Sequence, residues 1–169
     1  MRTDPDPDGS ESRLLGEYLD YQRETVLLKT EGLTQAQMVQ RHPPSELTLA
    51  GLLYHLSLVE ENWMEVRFSG LPDRDPWATV DWDADPNWEF RTAEGLRPED
   101  LRDRYREACE RTRLVVASAA GLDQMSVQPM RDGRHFSLRW VLLHLIEETA
   151  RHAGHADFLR EAIDGTVGE

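Results

Sequence analysis

Lysine, cysteine and long apolar runs are the scarce features of this sequence. Lys29 is the one lysine among 19 basic residues, a bias that fits a GC-rich coding sequence and no particular activity. Those 19 face 32 Asp and Glu, for a net charge of −13. Such a surface repels phosphate backbones and anionic lipid, which excludes nucleic-acid binding through a general basic face. A single cysteine, Cys109, leaves no intrachain disulfide framework. The apolar runs are a few residues long, too short to cross a bilayer. Residues Met1–Ser10 (MRTDPDPDGS) have no apolar core and are not a secretory signal. These absences predict a reduced, cytoplasmic protein without nucleic-acid or membrane partners. What remains is 169 residues, 39% of them apolar, enough for one domain with one core.

Residues 1–10 carry Asp4-Pro5-Asp6-Pro7-Asp8-Gly9 and predict a flexible acidic tail, with a single domain over residues 11–165. Leu14, Tyr18, Tyr21, Thr25 and Leu28 recur at helical steps, and Gly32 is a stop signal. Thr34-Gln35-Ala36-Gln37 has the pattern of a capping box for a short helix, closed by Pro43-Pro44. A second long helix is expected from near Thr48 to near Ser69, with Leu49, Leu52, Leu53, Leu56, Val59 and Trp63 on its apolar arc. Residues 70–96 break the pattern with Gly70, Pro72, Pro76 and Pro86, and four aromatics suggest that this stretch packs onto the body. Pro98 opens a third helix whose stripe is Leu101, Tyr105, Ala108, Thr112, Val115 and Ala119, ended by Gly121. A second loop spans residues 122–136, and Ser137 caps a fourth helix that reaches about Ile163 before Gly165. The expected fold is an all-α four-helix bundle with a long irregular loop between helices 2 and 3. Five tryptophans and narrow apolar stripes add a homodimer to the expectations.

Several common site patterns are missing. The chain has no His-Glu-x-x-His, no glycine-rich phosphate loop, no Gly-x-Ser-x-Gly and no pair of Glu-x-x-His segments for a di-metal centre. Asp81-Trp82-Asp83-Ala84-Asp85 mimics the start of a calcium loop, but Pro86 and Thr92 stand where glycine and glutamate are required. Cys109 lies beside the stripe of the third helix with no activating histidine nearby in sequence, and reads as a buried, inert thiol.

The histidines are more informative. On the fourth helix His144, Glu148, His152 and His155 form a ladder at steps of four, four and three, and His152 falls inside the apolar arc. On the second helix His55 sits at the edge of the leucine arc. A weak repeat relates the two helices, Thr48–Leu56 aligning with Ser137–Leu145 so that His55 matches His144. Buried polar groups need partners. Either Glu148 and His152 form a surface pair while His55 bonds a carbonyl, or His55, Glu148 and His152 share a divalent cation with positions left open, as in catalytic zinc and non-haem iron sites.

His55-Leu56, with Val59-Glu60 and Trp63 after it, resembles the first metal motif of DinB-like four-helix proteins, a superfamily that includes mycothiol-dependent S-transferases and maleylpyruvate isomerases. The segment Ser137–Asp157 is similar to the second motif. Typical members have His-x-x-x-His-Arg-Gly-Gln there. This chain has Glu148 in place of the first histidine and His152-Ala153-Gly154-His155 in place of the rest, and the mycothiol-dependent isomerases also place Glu four residues before His. The resemblance implies His55, Glu148 and His152 as metal ligands; His144 is left as an extra ligand, an outer partner of the site or core filler, and His155 as an outer partner or a surface residue. It implies a divalent metal, zinc first and nickel, iron or manganese after it. It further implies a thiol cosubstrate such as mycothiol, a small-molecule electrophile as partner, and S-transferase or isomerase chemistry. A metal-dependent hydrolase and a non-catalytic metal- or ligand-binding protein are the alternatives on the same fold. The loop 70–96 matches neither motif.

Overall fold

Hydroxyl side chains start three of the four long helices. The computed structural model describes residues 2–168. Ser10 caps α1 (Glu11–Leu28), Thr48 caps α3 (Leu49–Glu60) and Ser137 caps α6 (Leu138–Asp164), each side chain accepting a first-turn backbone N–H. The fourth, α5 (Pro98–Ser118), has proline in its first turn with Glu99 and Asp100 at its positive end. The capping box at Thr34 forms as its sequence predicts and opens the short α2 (Gln35–Met38). Gly165 ends α6 in the left-handed region, at φ 77°. The protein is an all-α bundle in which α1 packs on α6, α3 on α5, and α3 also meets α6. Among the described residues there is no strand beyond one isolated bridge, Met125 to Ser137. Among the described residues no helix is long and apolar enough to cross a membrane.

Three features depart from the sequence expectation. The stripe predicted on α1 is only partly its core face: Thr25 is buried, but Tyr18 and Leu28 are exposed, and the other buried residues are Leu19, Arg23, Val26 and Leu27. A charged residue among them hides that face from a hydrophobicity pattern. Arg23 is tolerated because Glu60 accepts from its Nε and Nη2 at 2.7 and 2.6 Å, and Thr112 donates to the same carboxylate at 2.6 Å. Second, the helix expected to reach near Ser69 does run to Phe68, but it winds as a π-helix over Glu61–Phe68. Its buried Glu61 accepts from Trp77 Nε1 at 3.1 Å and from Arg111 at 2.7 Å, while Glu65 accepts from Arg74 at 3.0 Å. Third, those bonds pin the 70–96 connection, which contains a turn of 3-10 helix at Trp77–Thr79 and a short α4 (Trp88–Ala93). Trp77 is fully buried with Tyr54 of α3, their rings 4.7 Å apart.

Ahead of α1, the backbone N–H of Asp6 donates to Glu17 and Arg13 bridges Asp6 and Glu17. Arg2 lies over the Tyr21 ring, 4.4 Å from its centroid.

Candidate metal centre

Two helix faces build the site. On α3, Leu49, Leu52, Leu53 and Leu56 enter the same buried cluster as Ala153, Ala156 and Leu159 of α6. From α6, Glu148 and His152 reach one point because residues four apart share a face. His55 Nε2 lies 3.4 Å from Glu148 Oε1, and His152 Nε2 lies 3.3 Å from the same oxygen. The three ligand atoms all fall within 4.8 Å of one another. The His55 and His152 rings meet edge to face, with centroids 5.1 Å apart. Thus the three side chains singled out in the sequence, with His55 and His152 97 residues apart, converge on one point. His55 and Glu148 retain some solvent exposure.

Charge is unevenly shared. Burial would push the His55 pKa down, but hydrogen bonds to Glu148 and Glu89, with the charges of both carboxylates, carry it up to about 9. The His55 bond holds the Glu148 carboxyl down at about 2 against the opposing effect of burial. His152 goes the other way: burial and the neighbouring His55 charge lower its pKa, so it is neutral. Its partner on the other ring edge is His155, Nδ1 to Nδ1 at 3.3 Å. His144, although one turn before Glu148, turns its ring to Trp63 and Trp140 at 4.5 and 5.3 Å. The aligned histidines of the sequence repeat therefore have different surroundings.

Two neighbours of His55 escaped the sequence reading. Glu89 is buried and accepts from His55 Nδ1 at 3.3 Å, and Phe90 stacks on the His55 ring at 5.2 Å and 19°. Both come from α4, in the stretch that matched no motif. In a chain with 32 acids nothing marks Glu89. The usable signal was Gly51, a residue that weakens a helix interior and often marks a close approach. A Cβ on Gly51 would stand 2.9 Å from Phe90 Cδ1. Cys109 is buried with its thiol pKa pushed up by desolvation, an unreactive state.

Two imidazoles and one carboxylate, projecting from facing helices of an all-α bundle, define a class of helical proteins with a metal-competent site at the helix interface. Comparison with known proteins narrows the class. The Mycothiol-S-transferase family model matches residues 14–165, and the chain belongs to that DinB-like family. In fold it is similar to the crystal structure of a conserved protein of a locus from Enterococcus faecalis, with a TM-score of 0.65 and 18% identity over 94% of this chain and 100% of that one. No curated protein matches the sequence.

Proposed function

We propose that this protein is a divalent-metal-dependent enzyme that transfers or isomerises through a small thiol such as mycothiol, with His55, Glu148 and His152 as the protein ligands. The observation that carries the reading is the placement of Glu148 Oε1 between two imidazole nitrogens at 3.3 and 3.4 Å. Ligand atoms around a tetrahedral ion with bonds near 2.0–2.1 Å lie roughly 3.3 Å apart; both separations from Glu148 match that value, and all three ligand atoms lie within 4.8 Å of one another. Zinc suits the set best, and nickel, iron or manganese accept the same donors. One carboxylate leaves a divalent ion net positive, and when bound it supplies a lowered pKa to a coordinated thiol or water.

The chain's own residues do the rest. To present the Nε2 lone pair, His152 carries its proton on Nδ1, where His155 Nδ1 lies at hydrogen-bond distance. Glu148 is ionised throughout the physiological range and needs no deprotonation. The partly exposed side of His55 and Glu148 is the approach for the thiol and a small electrophile, and the cytoplasm is the matching compartment for a reduced thiol. A homodimer belongs to the same proposal, since Tyr18, Trp140 and Leu143 leave apolar surface exposed.

The test is metal analysis of protein prepared without chelator, followed by an electrophile screen with and without mycothiol. A stoichiometric ion and thiol-dependent turnover, both lost in His152→Ala, are expected. Absence of the ion overturns the enzyme reading; turnover that ignores thiol would assign hydrolysis instead.

A further inference from the structure

We infer that Glu89 is a positioning residue for the ion, fixing the His55 ring so that Nε2 and not Nδ1 faces Glu148 and His152. The inference rests on the metal reading above. His55 has two chemically similar nitrogens, and a ring free to rotate about its Cβ–Cγ bond presents either one. Here one edge points to Glu148 and the other to Glu89, each at hydrogen-bond distance. Glu89 is 5% exposed, and its Oε2 is buried without a hydrogen-bond partner. Among the described residues His55 is its one ion-pair partner. A buried carboxylate that leaves one oxygen unpaired is costly for stability, so its placement serves the imidazole it holds. A histidine that ligates through one nitrogen and donates from the other to a carboxylate has its tautomer and ring direction set, and its basicity raised.

The adjacent residue completes the clamp. Phe90 lies flat on the His55 face, 5.2 Å between centroids, while Glu89 holds the edge. Both are seated by α4, which reaches α3 closely because Gly51, one turn before His55, has no side chain. The 70–96 connection thus takes part in the ion site through α4, without offering a ligand of its own.

The experiment compares zinc affinity in the full-length protein, its Glu89→Leu and Glu89→Gln variants, by competition with nitrilotriacetate. A pH of about 9.5 removes proton competition at the ligands. Leucine fills the volume without an acceptor, and loss of the carboxylate lowers the melting temperature because His55 loses one of its two partners. Glu89→Leu is expected to melt cooperatively, below wild type, and to bind zinc about 10–100-fold more weakly. Glu89→Gln, which keeps an acceptor oxygen, falls between the two. In zinc-loaded wild type the His55 Nδ1–H gives a slowly exchanging ring resonance by NMR, and Glu89→Leu loses it. Wild-type zinc affinity in Glu89→Leu overturns the positioning role while leaving the three-ligand site intact. Failure of the wild type itself to bind zinc overturns the metal reading and this inference with it.

Discussion

Zinc binding to this protein is expected to release one proton from His55, with a defined pH dependence. In the ion-free chain His55 is clasped between Glu89 and Glu148 and titrates at about 9, so at neutral pH both ring nitrogens carry protons. A ligating imidazole must give one up. Glu148, at about 2, is already ionised, and His152, lowered by burial, is already neutral; neither adds a proton to the count. Between pH 7 and 9 the apparent affinity should therefore rise about tenfold per pH unit, a total of about 100-fold or about 2.7 kcal/mol, and then level off. Calorimetric titrations in buffers of different ionisation enthalpy would give about one proton released per ion at pH 7.5. A flat affinity with no proton released would refute the reasoning, because His55 would then not lie between two carboxylates. A count near two would refute the assignment of His152 as neutral. The sign reverses for the ion-free protein. A raised histidine pKa stabilises the fold fully below about 6.5, the ordinary value, and that contribution fades as pH climbs through about 9. Melting of the ion-free wild type should fall across that window, by up to ~3 kcal/mol of stability, and His55→Gln should flatten it.

Two further outcomes follow from packing. Gly51→Ala places a methyl 2.9 Å from Phe90 Cδ1 and 3.1 Å from Thr48 Oγ1, so despite better helix propensity it should destabilise by about 1–3 kcal/mol; a urea midpoint equal to or above wild type would contradict the tight seating of α4. Glu60→Ala leaves Arg23, 3% exposed, without its bidentate partner, and should cost about 3–5 kcal/mol in equilibrium unfolding. The double variant Arg23→Met with Glu60→Leu should recover most of that loss, and additive losses in the double-mutant cycle would contradict the pairing.

What could be read in the sequence was local. Hydroxyl caps at Ser10, Thr48 and Ser137, Pro98 in a first turn and the stop at Gly165 act within a few residues, so helix ends are set by neighbours in the chain. The four-residue step from Glu148 to His152 fixes a shared helix face by geometry alone. The α1 stripe failed in part, for the opposite reason: whether Arg23 points inward depends on Glu60 and Thr112, 37 and 89 residues away. The roles of Glu89, Phe90 and Gly51 are equally beyond local pattern, because a buried acid looks like a surface acid until the helix opposite supplies a histidine. Sequence determined the helices and named three candidate ligands. Only the packing of α3 on α6, with α4 laid across α3, decided that those ligands share one point and which atoms hold them there, since distances between distant residues are a property of the folded core and not of spacing along the chain.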